Sequence, residues 1–496
     1  MGKNLYVTTA IPYVNGTPHI GHAMDYLLAD IYTRYQMQNG RAVRFQIGTD
    51  EHGNKNAAKA EEMGLTPQQY ADQAHIPFRA MAEKVGSQYT DFIRTTNFDH
   101  KAAVQYIWKQ LEPHIYKDTY EGWYCSGCEQ FYTDKEVGAT NGVCANHQKP
   151  YERLSEENYY LRASDFTDEI RTAIESDKMR IVPEFRKREI LELIKDGIKD
   201  VSISRPLKSL SWGVPVPGDR EQVIYVWIDA LSNYLTVLGY PAKPEWRDFW
   251  PADVQIVGKD ILRFHAIIWP AILLGIGVGL PKKILAHGFV NIDGSKISKS
   301  LGNGIDPSEL IDTYGLDAFR YYFARHIPTQ DDGDFSYEKF ETAYNNELAD
   351  DLGNLVQRVA SMLLRYQAGV IGEITTGEHD MKPYRDAMER LEFDKAFDHV
   401  WVMIRALNQY IEDVKPWQIA KDRQKNPEAE AHLSEVLAHA AGTLLQIADM
   451  LVPLLPASAK IIHQTFESAA VPSTVTPLYP KIYRHTPDPR ASKKSA

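Results

Sequence analysis

Two histidines three residues apart, His19 and His22, follow an apolar run from Leu5 to Thr9 and open a helical pattern. At a strand-to-helix junction, free N–H groups and the positive end of the helix dipole favour phosphate, and imidazoles placed there add donors. Far downstream, Lys296-Ile297-Ser298-Lys299-Ser300 sets two lysines among hydroxyls in a short loop, again suited to phosphate oxygens. A third group is metal-ligating. Cys125-x-x-Cys128 is followed, after 15 residues, by Cys144-x-x-His147. Three thiolates and one imidazole in two knuckles make a tetrahedral zinc site. Four protein ligands leave no open position, so this zinc is expected to be structural. These are all three of the cysteines, so no disulfide framework is expected.

The elements that must hold these groups can be read from periodicity. Leu5 to Thr9 reads as a strand, Ile20 to Gln38 as a helix stopped by Asn39-Gly40, and Val43 to Ile47 as a second strand ending in the loop Gly48 to Gly53. This β-α-β unit places its loops at the strand C-termini, where open α/β sheets bind ligands. A Tyr-, Gly- and Cys-rich stretch interrupts the pattern around the zinc residues. Gln222–Trp227 and Val254–Val257 read as further strands, the latter leading through Gly258-Lys259-Asp260 into a helix from Ile261 to about Leu274. Lys283–Ala286 is a last strand before the lysine loop. Beyond Ser336 only helical patterns remain, over Tyr337–Ala368, Tyr384–Val414 and Ala429–Leu451.

Bulk properties bound the reading. At 496 residues the chain has room for roughly three domains. It has no apolar run long enough to cross a membrane and no signal-peptide pattern, so a cytoplasmic location is expected. A net charge of −11 argues against indiscriminate nucleic-acid binding, including DNA, but leaves room for a structured RNA on a local basic surface. Arg186-Lys187-Arg188 is one candidate, although a solvated helix face explains that run equally well.

Together the segments Pro18-His19-Ile20-Gly21-His22 and Lys296–Ser300 resemble the HIGH and KMSKS signatures of the class I aminoacyl-tRNA synthetases, with Ile297 where Met is usual. The segments Ala10–Gly16, Gly48–Gly53, Tyr225–Ala230, Gly258–Ile261 and Lys415-Pro416-Trp417 carry the resemblance further, to the methionyl-tRNA synthetase family over roughly residues 4–480. It implies an α/β fold: a Rossmann-like parallel-sheet catalytic domain (1–115 and 161–335) with a zinc-knuckle insertion (116–160), then an all-α helix-bundle anticodon-binding domain (336–482) and a disordered tail (483–496).

The resemblance also implies roles. His19, His22, Lys296 and Lys299 would act on the ATP phosphates, with Gly21 and Asp260 contacting adenosine and Mg accompanying ATP. Ala10, Ile11, Tyr13, Asp50, Trp227, Ala230, Tyr234, Ile261 and His265 would bind L-methionine, joined by Phe264 and Trp269 on one helix face. Asp50 would take the ammonium, with Arg205 as its charge partner. Asn354, Arg358 and Trp417 would read the anticodon of tRNA(Met). The 274 positions from His22 to Lys296 leave no room for the large editing insertion of the isoleucyl, valyl and leucyl enzymes. A synthetase-derived binding protein would be expected to lose the histidines or lysines, and a nucleotidyltransferase would need neither the helical domain nor the zinc knuckle. Without the C-terminal dimerisation module of some relatives, the chain is expected to be a monomer.

Overall fold

The computed structural model describes residues 4–125, 130–145, 148–296, 305–377, 379–423 and 426–482. Its centre is a six-stranded sheet in the order Asp91–Arg94, Val43–Thr49, Leu5–Thr9, Val254–Gly258, Lys283–His287, Arg180–Val182. Every pairing in it is parallel. The strand sequence departs from Leu5–Thr9 in one direction through Val43–Thr49, and resumes on its other side at Val254–Gly258. The crevice between the C-terminal ends of those two strands is therefore the topological switch point, where ligands bind in such sheets.

The helix Ile20–Gln38 forms as its pattern predicts, and its first turn is capped by the histidines themselves. The interrupting stretch folds as a separate antiparallel sheet, with Ile115–Cys125 paired along its length to Glu152–Leu161. Three expected elements differ. The Gln222–Trp227 strand ends earlier, at Ile224, and Trp227 lies in a helix over Val226–Thr236. The apolar run is compatible with either state, and the extended Tyr225 before the helix makes the corner. The helix after Asp260 contains a π-helical turn over Phe264–Ile268, which shifts side chains off a regular i, i+3, i+4 face. The long Tyr384–Val414 pattern breaks into Lys382–Glu389 and Phe393–Val414, because Leu391 sits in the left-handed region at φ 59° with its side chain fully buried.

Two cores sandwich the sheet. One gathers Tyr6, Trp108, Leu231, Tyr234, Trp250 and Trp269. The other runs from Tyr26, Leu27 and Phe45 beneath the sheet, without a break, into Phe319, Leu355, Trp401, Leu444 and Phe466 of the C-terminal helices. At this junction lies a buried ion pair. Arg320 donates to Asp30 Oδ2 at 2.7 Å, to the Pro453 carbonyl at 2.8 Å and to the Leu454 carbonyl at 2.9 Å. Asp30 also accepts from Arg34 Nε at 2.6 Å and from the Gln88 N–H at 2.8 Å. A buried charge pair is tolerated only when its remaining donors and acceptors are met in this way. The helix that begins at the histidines is thereby tied, three turns along, to the far end of the chain.

Candidate active site

A cavity of about 580 Å³ opens at the switch point. At the corner formed by the start of the Ile20–Gln38 helix, His19 Nδ1 accepts from the Gly21 N–H at 3.1 Å, and His22 Nδ1 accepts from the His19 N–H at 3.1 Å. The rings stack with centroids 3.8 Å apart. Because both Nδ1 atoms are acceptors, the ring proton of each neutral imidazole resides on Nε2. Two N–H donors are thus fixed at the helix N-terminus before any ligand arrives. Gly21 leaves room for this ring: a Cβ there would sit 3.0 Å from His19 Cε1, so the imidazole would have to give by a few tenths of an ångström.

The same cavity is lined by Ala10, Ile11, Tyr13, Asp50, Trp227, Ala230, Tyr234, Ile261 and His265, so all nine residues expected to bind the amino acid converge with His19, Gly21, His22 and Asp260. His265 Nδ1 lies 3.0 Å from the Ile261 carbonyl, which can only accept, so Nδ1 carries the proton. Nε2 then accepts from the Tyr234 hydroxyl at 2.7 Å. Burial holds this imidazole neutral, with its pKa pushed down to about 4. The result is an uncharged aromatic wall with a fixed hydroxyl orientation. Trp227 stacks on Phe264 with centroids 3.7 Å apart and planes 5° from parallel.

Some expected neighbours stand elsewhere. Phe264 backs Trp227 without lining the cavity, and Trp269 is fully buried between Tyr234 and Trp250 in the core. The π-helical turn, which ends just before Trp269, accounts for the displacement of that residue from the anticipated face. Arg205 lines a second, smaller hollow with Glu152, Glu156 and Ser209. Its guanidinium donates to Ser202 Oγ at 2.7 Å and to the Ser204 carbonyl at 2.9 Å.

Sequence reasoning overlooked an ion pair in the cavity wall. His287 Nε2 lies 2.6 Å from Asp25 Oδ1, while its Nδ1 donates to the Gly288 carbonyl at 2.9 Å. Burial disfavours charge on this ring, but the Asp25 carboxylate outweighs burial and raises the pKa of His287. Burial also raises the pKa of Asp25, so the two side chains hold one proton between them on the 2.6 Å contact. Asp25 follows His22 by three positions on the same helix, and His287 ends a central strand; those placements were the available signal. Asp260 folds back over Gly258, where a Cβ would come within 2.7 Å of its carboxylate.

The remaining expected residues lie apart from the cavity. Cys125 and Cys144 are both buried in one small cluster with Val137 and Tyr151, and the Cys144 backbone exchanges hydrogen bonds of 2.8 Å with Gln148 and Lys149. A cysteine at a strand end and another in a tight turn, buried in the same cluster, fit two of the four ligands of the expected zinc site. Cys128, His147 and Lys299 lie outside the described residues. The Lys296 backbone pairs with Asn291 in a short antiparallel ribbon next to the cavity-lining Val290. In the helical half, Asn354 and Arg358 share one face of Asn354–Gln367. Asn354 donates to Asp350 at 2.9 Å, and Arg358 donates to Asn408 at 3.0 Å and to the exposed Glu412. Trp417 is half-buried after the Lys415-Pro416 turn. The Arg186-Lys187-Arg188 run makes no basic patch: Arg186 pairs with Glu189, and Lys187 is buried against Asp177.

A family model described as class I tRNA synthetases (M) matches residues 5–154 and 139–360. A methionine–tRNA ligase of Bacillus cereus is 41% identical over 481 residues, covering 91% of this chain and 72% of that protein. One from Streptomyces coelicolor is 41% identical over 476 residues, covering 92% and 88%. Among solved structures, Mycobacterium tuberculosis methionyl-tRNA synthetase in complex with methionyl-adenylate superposes with a TM-score of 0.90 at 33% identity, over 97% of this chain and all of that one.

Proposed function

The chain belongs to the class I methionyl-tRNA synthetases, and from that premise we propose how its cavity works. The enzyme joins L-methionine to tRNA(Met) at the expense of ATP, through methionyl-adenylate, releasing pyrophosphate and AMP. One observation supports the assignment of its residues: a single cavity unites the Nε2–H donors of His19 and His22 with an apolar, aromatic hollow that has the Asp50 carboxylate beside Tyr13, Ala10 and Ile11 in its lining.

In this reading the methionine thioether lies against Tyr234, His265 and Trp227. Sulfur at aromatic edges gains about 0.3–1.5 kcal/mol per contact. Asp50 takes the ammonium. The methionine carboxylate oxygen attacks the α-phosphorus, the bond to the bridging oxygen breaks, and pyrophosphate leaves with the electron pair. No proton moves, so catalysis consists of positioning and charge stabilisation. His19 and His22 donate to the phosphate oxygens as charge shifts outward, Lys296 and Lys299 meet the departing pyrophosphate, and Asp260 and Gly21 seat the adenosine. The hydroxyl of the terminal tRNA ribose then attacks the acyl carbon, the bond from that carbon to the phosphate oxygen breaks, and AMP leaves with the hydroxyl proton passing to its phosphate.

Mg accompanies ATP as its phosphate counter-ion. Cys125, Cys128, Cys144 and His147 would hold a zinc ion, which with four protein ligands would serve to fold the insertion and not the reaction. Asn354, Arg358 and Trp417 read the anticodon, by polar contacts to base edges and by stacking. We assign residues 1–115 and 161–335 to the catalytic domain, 116–160 to the insertion and 336–482 to the anticodon domain. We also place the enzyme in the cytoplasm as a monomer, without a role on DNA or membranes; among the described residues no helix is long and apolar enough to cross a membrane.

Methionine-dependent ATP–pyrophosphate exchange tests the scheme. Lys299→Ala should slow exchange strongly with little change in methionine binding. Unchanged exchange in that variant would remove the lysine loop from the mechanism.

A further inference from the structure

Behind the cavity, on the far side of one of its walls, lies a buried chain of polar groups that the proposed mechanism does not use. Asp229 sits on the helix Val226–Thr236, whose other face presents Trp227, Ala230 and Tyr234 to the cavity. Its carboxylate is 1% exposed and does not line the cavity. His52 Nδ1 lies 2.6 Å from Asp229 Oδ2, and His100 Nε2 lies 2.9 Å from Asp229 Oδ1. A carboxylate only accepts, so both imidazoles donate. His100 also meets the Thr236 hydroxyl at 2.7 Å through Nδ1, and therefore grips the same helix two turns further on.

The three residues come from three elements. His52 belongs to the loop that ends the strand Val43–Thr49, two residues after Asp50. That loop is fixed on its other sides: the Asp50 N–H donates to the Pro12 carbonyl at 2.9 Å, Asn56 Nδ2 donates to the His52 carbonyl at 3.1 Å, and Trp212 Nε1 donates to the Glu51 carbonyl at 2.8 Å. Glu51 is in turn clamped by Arg94 at 2.8 and 3.0 Å. His100 belongs to the helix Phe98–Leu111. Burying a carboxylate costs several kcal/mol, and apolar packing of similar volume often stabilises as well or better. What the ionic chain adds is a fixed distance and direction between the elements it joins.

We propose that Asp229 is a positioning residue for methionine: through His52 and His100 it sets the spacing between Asp50, which receives the ammonium, and the aromatic wall begun by Trp227. The inference rests on the reading that the cavity takes methionine with its ammonium on Asp50. The residue touches no substrate. Its effect is on how well two opposing walls of one subsite fit the same ligand, and the ATP corner, carried by the Ile20–Gln38 helix, lies outside that linkage.

Steady-state pyrophosphate exchange with methionine and ATP varied separately tests this on the full-length protein. Asp229→Asn keeps the shape but not the two-fold acceptance. It should raise the methionine KM by tenfold or more, while the ATP KM stays within twofold and kcat within about threefold per active site, as counted by burst titration of adenylate. His100→Gln, which leaves the His52–Asp229 bond, should raise the methionine KM less and in the same selective manner. A methionine KM within twofold of the parent in Asp229→Asn, or equal rises for methionine and ATP, overturns the proposal. If Asp229→Asn does not fold, His100→Gln decides by the same split. Asp50→Asn is the control on the underlying reading. An unchanged methionine KM there removes Asp50 as the ammonium site, whereas a large rise there with none in the Asp229 and His100 variants removes only the positioning role.

Discussion

The activation cavity and the outer face of the helical half hold their polar side chains in opposite ways. In the cavity, His19, His22 and His265 are oriented by backbone groups and by Tyr234, so each ring presents one defined nitrogen to its surroundings. On the helical face, Asn354 and Arg358 rest on the side chains of Asp350, Glu412 and Asn408, partners that a nucleotide would have to displace if these residues read the anticodon as proposed. The first arrangement suits a reaction in which charge moves within a small, dry space, because donors that need no reorganisation are worth most there. The second suits an RNA loop, where exchangeable contacts keep the surface solvated and paired until bases arrive. One region is preorganised; the other is held in reserve.

The contrast can be broken or sharpened by experiment. The largest effect should come from His22→Ala, which removes a fixed Nε2–H. Pyrophosphate exchange should fall on the order of 10²–10³-fold with the methionine KM unchanged, the usual cost of losing one preorganised donor. A loss of only a fewfold would mean that the cavity is not preorganised in this sense.

Next in size is an acid effect on folding. The His265 pKa of about 4 in the folded chain lies below the ordinary value near 6.5. Its contribution to stability is therefore complete above pH 6.5 and is lost as the pH falls toward 4, where the unfolded chain takes up a proton that the folded chain refuses. The difference amounts to on the order of 3 kcal/mol. Denaturant titrations between pH 7 and 4 should show a shallower decline for His265→Gln than for the parent.

Trp417→Ala should leave pyrophosphate exchange intact while tRNA charging falls about 5- to 150-fold in kcat/KM, the equivalent of about 1–3 kcal/mol of base stacking. The smallest effect tests the displaceable pairing directly. Glu412→Gln removes the charged partner of Arg358 and leaves its bond to Asn408, and should lower the tRNA KM by about two- to fivefold, matching an exposed ion pair worth up to about 1 kcal/mol. A rise in that KM would show that Glu412 helps the RNA instead of competing with it.

Much of this was legible in the sequence because local rules and chemistry agreed. The helix Ile20–Gln38 has its stop at Asn39-Gly40, and the cavity-lining set could be named from short segments. What escaped was decided by tertiary context. Trp227 opens a helix because Tyr225 turns the chain, and nothing in Gln222–Trp227 distinguishes that outcome from a strand. Trp269 was displaced by a π-helical turn, which has no composition signature. Leu391 adopts the left-handed region, in which a non-glycine residue is uncommon. The pairs Asp25–His287 and His52–Asp229–His100 join residues more than a hundred positions apart, so only the fold brings them together.

The Arg320–Asp30 junction bears on how such an enzyme could be rearranged. A helical half grafted from another protein would have to bring carbonyls to where those of Pro453 and Leu454 lie, or strand a guanidinium in the interior. The two halves are therefore poor cassettes for exchange. Inherited change at this seam must arrive in matched sets, on the first helix and at the end of the chain together.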